Sequence, residues 1–194
     1  MAKNEAKTAA KRKGILERLA GSSESDTDGR APLATKMLTE QHDEVRSLFK
    51  EYEGAGEGAH ATRKRLIDEA SQKLEVHSQL EERIFYPACE ELEDEKARKM
   101  VGESLEEHLI VKRLIKELEP LKGTDEKFES KATVLMESVK HHADEEEKDL
   151  FPVAEKELED ERLRELGGEM EALKARLTSG RKAPKATARG SARA

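Results

Sequence analysis

Two stretches of the chain share a pattern that few folds can satisfy: His77 to Pro87 reads HSQLEERIFYP and His142 to Pro152 reads HADEEEKDLFP. In both, a histidine stands ten residues before a proline and a glutamate pair stands six and five before it. The repeat reaches further. EQHDEVRSLFKEYE (40–53) aligns with EEHLIVKRLIKELE (106–119) and sets His42 over His108; His42 to His77 spans 35 residues and His108 to His142 spans 34. The chain is thus two copies of one helical hairpin, expected to bring four helices together around a pseudo-twofold axis.

Apolar residues fall at steps of three and four, the period of bundle helices. The four segments carry Leu38, Val45 and Phe49; Ile67, Ala70, Leu74 and Ile84; Val101, Leu105 and Ile115; and Leu135, Val139 and Leu150. Turn-like stretches at 21–30, 53–60, 120–125 and Gly167–Gly168 separate the segments. Pro87 and Pro152 are expected to bend or end their helices. With 41% charged and 3% aromatic residues, the composition favours long solvent-facing helices over sheets. The expected fold is all-α: an antiparallel up-and-down four-helix bundle over 31–178. A fainter echo, LEDEKARKMVGE (92–103) in LEDERLRELGGE (158–169), places Lys174 where a third unit would carry histidine, so the last helix is expected to cap the bundle.

Residues 1–20 carry a net charge of +4 and residues 181–194 carry +5, which leaves −16 on the body of a chain whose total is −7. Residues 1–30 and 179–194 are expected to be disordered, basic tails. An acidic body without a basic helix face excludes a specific nucleic-acid reader. No apolar run nears the ~20 residues of a membrane span, and the N-terminus lacks a secretory core. A cytoplasmic, non-membrane protein is expected. Cys89 is the single cysteine, expected to be a small helix residue rather than a redox group.

The chemistry lies in the polar residues that interrupt the apolar seams. His77 and Glu81 fill seam positions between Leu74 and Ile84, and His142 and Glu146 do so between Val139 and Leu150. His42 follows Leu38, and His108 follows Leu105. A four-residue step turns about 400°, so each Glu at i+4 shares a face with its histidine, while Glu82 and Glu147 at i+5 project about 140° away. Those two are expected at the surface or behind the inner groups. Four inward imidazoles and two inward carboxylates without partners would each cost ~1–3 kcal/mol, a heavy load for a domain stable by only ~5–15 kcal/mol. Metal ions remove that load. Two carboxylates can bridge two cations, each of which takes two imidazoles, and a mixed imidazole and carboxylate set suits iron, with manganese or zinc behind it. Glu-x-x-His and His-Glu-x-x-His are both absent, which disfavours a ferritin-like or zinc-peptidase site. His141 and His60 read as surface residues.

His42, HSQLEERIFYP, His108 and HADEEEKDLFP together resemble the hemerythrin family, in its branch of HHE cation-binding domains, over about residues 37–155. The resemblance implies a non-haem di-iron centre with an oxo or hydroxo bridge, held by His42, His77, Glu81, His108, His142 and Glu146. It also implies a diatomic or peroxide ligand. Two positions depart from the oxygen carriers of that family: Lys112 stands where they have a further histidine, and Glu146, with Glu147 as the alternative, where they have an aspartate. Both shift the expectation from simple oxygen carriage toward sensing or turnover of oxygen, peroxide or nitric oxide. The resulting readings are binding or sensing of a small oxidant, decomposition of peroxide at the same irons, or a structural bundle that never loads metal. Tyr86 stands one residue before Pro87, where it is expected to close the bundle close to the metal pair.

Overall fold

The computed structural model describes residues 30–56 and 58–179. The segments expected to be disordered therefore lie, but for Arg30 and Ser179, outside the described residues. Among the described residues the chain forms five helices and no strand. These are α1 (Ala34–Gly54), α2 (His60–Leu80, continuing through Glu81–Phe85 into Tyr86–Glu90), α3 (Glu95–Leu118), α4 (Glu126–Glu145, continuing through Glu146–Leu150 into Phe151–Glu157) and α5 (Asp160–Ser179). Helices α1 to α4 close a ring in which α1 packs on α2 and α4, and α3 packs on α2 and α4; α5 lies against α1 and α2. This is the four-helix bundle expected from the duplicated hairpin, with the extra helix in place. None of these helices is long and apolar enough to cross a membrane.

Of the two effects expected of the prolines, an end to the helix does not occur. Glu81–Phe85 and Glu146–Leu150 are π-helical turns, in which the amide of Tyr86 donates to the carbonyl of Glu81 and the amide of Phe151 to that of Glu146. A proline inside an α-helix removes one N–H and crowds the carbonyl four residues earlier. The widened turn just before Pro87 and Pro152 absorbs both effects, so the helices run on. The inward glutamates, Glu81 and Glu146, open these turns.

Gly167 and Gly168 do not break the chain either, since both lie inside α5. A Cβ on Gly167 would stand 1.9 Å from the carbonyl oxygen of Pro32, so glycine there lets α5 seat against the start of the bundle. The breaks around α5 and α3 fall instead at the two LED sequences: α3 starts just after Asp94, whose carboxylate accepts from the amide of Ala97 at 2.9 Å as an N-cap, and α5 starts at Asp160.

The apolar interior divides in two. One cluster holds Leu38, Leu80, Phe85, Tyr86, Val101, Leu150 and Phe151, the other Val45, Phe49, Ile67, Leu74, Val111, Leu135 and Val139. Along each of the four bundle helices the histidine stands where membership passes from one cluster to the other. The polar residues thus form a layer between two dry ones, which is where unpartnered groups are most expensive.

Candidate metal centre

His42, His77, His108 and His142 are each 4% exposed, Glu81 is 0% and Glu146 is 1%. One imidazole comes from each helix, and the two carboxylates come from the π turns. The Nε2 atoms of His42 and His77 are 3.0 Å apart, and those of His108 and His142 are 3.2 Å apart. Glu81 faces both pairs, its Oε1 3.1 Å from His77 Nε2 and its Oε2 3.3 Å from His108 Nε2. Glu146 Oε2 likewise lies 3.4 Å from His42 Nε2 and 3.5 Å from His142 Nε2. The ligating atoms of His42, His77, Glu81 and Glu146 form one group within 4.8 Å, and those of Glu81, His108 and His142 form a second. All six residues expected at the site are brought together.

A further shell fixes which nitrogen faces inward. His42 Nδ1 lies 2.7 Å from Glu147 Oε1, His108 Nδ1 2.7 Å from Glu82 Oε1, His142 Nδ1 2.8 Å from Glu107 Oε2 and His77 Nδ1 3.2 Å from Gln41 Oε1. A carboxylate can only accept, so in the neutral rings Nδ1 carries the proton and Nε2 turns its lone pair inward. Glu147 is in turn held by Arg46 at 2.7 Å, and Glu82 by Lys112 through both oxygens. Glu82 and Glu147 thus stand behind the histidines of the opposite hairpin, and Lys112, in place of a further imidazole, secures one of them.

This geometry fits cations. Lone pairs facing each other at 3.0 and 3.2 Å repel, and both Glu81 oxygens and Glu146 Oε2 are buried without a hydrogen-bond partner, as are Gln41 Nε2 and Ser78 Oγ. A cation between each imidazole pair turns every one of those inward lone pairs into a bond. Without one, protons must do so. Burial works against charge on His142, but the Glu146 carboxylate, the bond to Glu107 and the charge of Glu81 lift it to about 9. His42 is raised against its burial by Glu146 and Glu81. His77 is pulled down by burial, which outweighs Glu81. Burial would raise Glu81, yet the charge of His77, with His108 beside it, holds it well below the usual carboxylate range.

These shifts set a pH profile for the chain stripped of metal. The raised His142 contributes stability that is complete below 6.5 and lost as pH climbs to about 9, and the raised His42 acts in the same direction. The depressed His77 acts oppositely, removing stability as pH falls below 6.5, and Glu81 adds to that loss when pH falls through its lowered value. Stability should peak near pH 6.5. For His142 the alkaline loss is on the order of 3 kcal/mol. Urea unfolding of metal-free protein at pH 6.5 and 9 measures it; greater stability at pH 9 contradicts the assignment. Metal-loaded protein should lack the alkaline loss, because the cation replaces the protons.

Two aromatic residues floor the centre. Phe151 stacks on His42 with ring centroids 5.9 Å apart and planes 5° apart, and Tyr86 lies 5.6 Å from His108. The Tyr86 hydroxyl donates to Glu146 Oε1 at 2.8 Å and stands 3.4 Å from His108 Nε2. Burial and the charges of Glu81 and Glu146 raise its pKa well above 10, so the phenol keeps its proton. Cys89 is fully buried, and burial with the charges of Glu146 and Glu81 pushes its thiol up to about 12, so it stays an inert thiol as expected. His141 is 65% exposed in its side chain and lies 3.4 Å from Glu145 Oε1, the surface position expected for it. Sequence reasoning missed Gln41 and Glu107, although the signal was present: each directly precedes the first histidine of its repeat.

The model of the hemerythrin HHE cation binding domain matches residues 33–154. An uncharacterized hemerythrin-like protein of Schizosaccharomyces pombe is 29% identical over 124 residues, 64% of this chain and 60% of that protein; the chain therefore spans about three fifths of that relative's length. The crystal structure of a hemerythrin HHE cation binding domain-containing protein from Mycobacterium kansasii superposes with a TM-score of 0.65 at 25% identity, covering 77% of this chain and 89% of the other. A bundle whose four histidines and two glutamates meet in one polar layer between two dry ones, inside the segment that the family model matches, is a member of the hemerythrin HHE cation-binding domain family.

Proposed function

We propose that the centre holds two iron ions in a non-haem pair and that the chain binds or senses oxygen, peroxide or nitric oxide there. The observation that carries this reading is the opposed imidazole pairs, His42 with His77 and His108 with His142, joined by Glu81. Bound iron supplies redox chemistry and open coordination positions to a small oxidant. The residues supply the rest. His42, His77, His108 and His142 would hold two ions in two pairs, with Glu81 and Glu146 as the inward carboxylates. Above the pair a cavity of about 20 Å³, lined by Val45, Leu74, Val111 and Val139 among others, exceeds the ~10–15 Å³ that one water-sized molecule needs. That size is of the order of a small diatomic or peroxide ligand. Gln41, Val45 and His77 line both that cavity and an outer groove of about 340 Å³ beside α5. A cytoplasmic setting agrees with this role.

Peroxide decomposition at the same irons is the second reading, and the Tyr86 hydroxyl favours it. A phenol that keeps its proton beside Glu146 and His108 can donate a hydrogen bond, or a proton, to an oxygen held at the floor of the centre. Oxygen release from peroxide by iron-loaded protein should fall at least ~10-fold in Tyr86→Phe, with metal content unchanged. Loss of metal in that variant would make Tyr86 structural. An iron-loaded wild type that releases no oxygen from peroxide, yet changes spectrum with oxygen or nitric oxide, would leave binding or sensing as the function.

A further inference from the structure

Behind the imidazoles, the groups of the two halves match except at the second histidine of each repeat. His42 and His108 are equivalent, each held by a glutamate of the opposite hairpin, and each glutamate is held by the cation one turn after the histidine: Glu147 by Arg46 and Glu82 by Lys112. His77 and His142 are also equivalent, and each is backed by the residue preceding the first histidine of its repeat. There the symmetry fails. His77 Nδ1 meets the neutral amide of Gln41 at 3.2 Å, whereas His142 Nδ1 meets the carboxylate of Glu107 at 2.8 Å. The position between His108 and His142 therefore has two carboxylate-backed imidazoles, and the position between His42 and His77 has one. Of the two aromatic residues that floor the centre, the ring of Tyr86 lies against His108 and that of Phe151 against His42.

An imidazole that donates Nδ1–H to a carboxylate gains electron density at Nε2 and becomes a stronger donor to a cation; an amide oxygen does this much less. The Gln41 amide is fixed in this role. His77 turns Nε2 inward, so its Nδ1–H needs an acceptor, Gln41 presents Oε1, and Gln41 Nε2 is left buried without a partner. A glutamate at 41 would remove that orphaned donor, yet the first repeat keeps glutamine.

We propose that the metal pair is unequal by construction: the position between His108 and His142 fills first and more tightly, the position between His42 and His77 fills second, and Glu107 is the positioning residue that sets the difference. This rests on the two-metal reading of the centre. Removing one such backing group weakens metal binding by about 10–100-fold, which gives the size of the gap.

The test is an anaerobic titration of the metal-free full chain with Co(II), followed by ligand-field absorption and by heat. Wild type should show two steps at least ~10-fold apart. Glu107→Gln should weaken the first step and draw the two together, and Gln41→Glu should strengthen the second. Loading with ⁵⁷Fe should give two distinct Mössbauer doublets in wild type that converge in Gln41→Glu, a change that a merely structural role for residue 41 would not produce. Two equal steps in wild type overturn the proposal, as does a Glu107→Gln chain in which only the second step weakens. Should Glu107→Gln fail to fold, an unchanged second step in Gln41→Glu overturns it alone. A wild-type chain that takes up no Co(II) overturns the two-metal reading along with it.

Discussion

Glu81→Ala should abolish metal binding at both positions, whereas Glu82→Ala, one residue away, should only weaken it. Glu81 is fully buried and presents one oxygen to an imidazole of each hairpin, at 3.1 and 3.3 Å. Alanine there deletes the group common to both ligand sets and leaves four facing imidazoles with one carboxylate. Entering cations would then meet one inward carboxylate in place of two. Glu82 touches no inward atom. It accepts from His108 Nδ1 and is tied to Lys112, so its loss should cost about 10–100-fold in affinity at one position. Metal content of the two variants, measured after identical loading and desalting, checks this. Helical circular dichroism should be retained in both. Equal metal retention by Glu81→Ala and wild type would remove Glu81 from the centre.

The second large effect is on stability. A ligand that binds only the folded chain stabilises it by RT ln(1 + [L]/Kd), about 4 kcal/mol for each ion at 1,000 Kd and about 8 kcal/mol for two. At roughly 2–4 °C per kcal/mol for a chain of this size, saturating Fe(II) should raise the melting temperature by on the order of 15–30 °C. The physical source is the same layer that makes the stripped chain marginal: lone pairs 3.0–3.2 Å apart and three buried carboxylate oxygens without hydrogen bonds. Calorimetry of chelator-treated and reloaded protein, anaerobic and at pH 7, measures it. An unchanged melting temperature would mean that the layer satisfies itself without a cation.

Much of this was legible in the residues because helical periodicity is local. His42, His77, His108 and His142 interrupt apolar seams at equivalent places, and the i+4 step puts Glu81 and Glu146 on the same faces. What a helix presents to its neighbour is tertiary, and there the sequence was less informative. The i+5 geometry says that Glu82 points away from His77, but only the packing of α2 on α3 shows that it reaches His108. The reach of the Tyr86 hydroxyl to Glu146 depends on α2 and α4 facing each other across the bundle interior. The π turns could not be read from Pro87 and Pro152, because a proline specifies a missing donor and a crowded carbonyl without specifying how the chain relieves them. Gly167–Gly168 resembles a break until Pro32 is brought against it.

The most direct test of the central claim is iron analysis of the full chain purified in air, with its near-ultraviolet spectrum taken on the same sample. The account predicts about two irons per chain and a ferric charge-transfer band, both lost in His77→Ala. A folded chain that stays colourless and free of metal after incubation with ferrous iron would contradict it, and the four histidines would then be architecture.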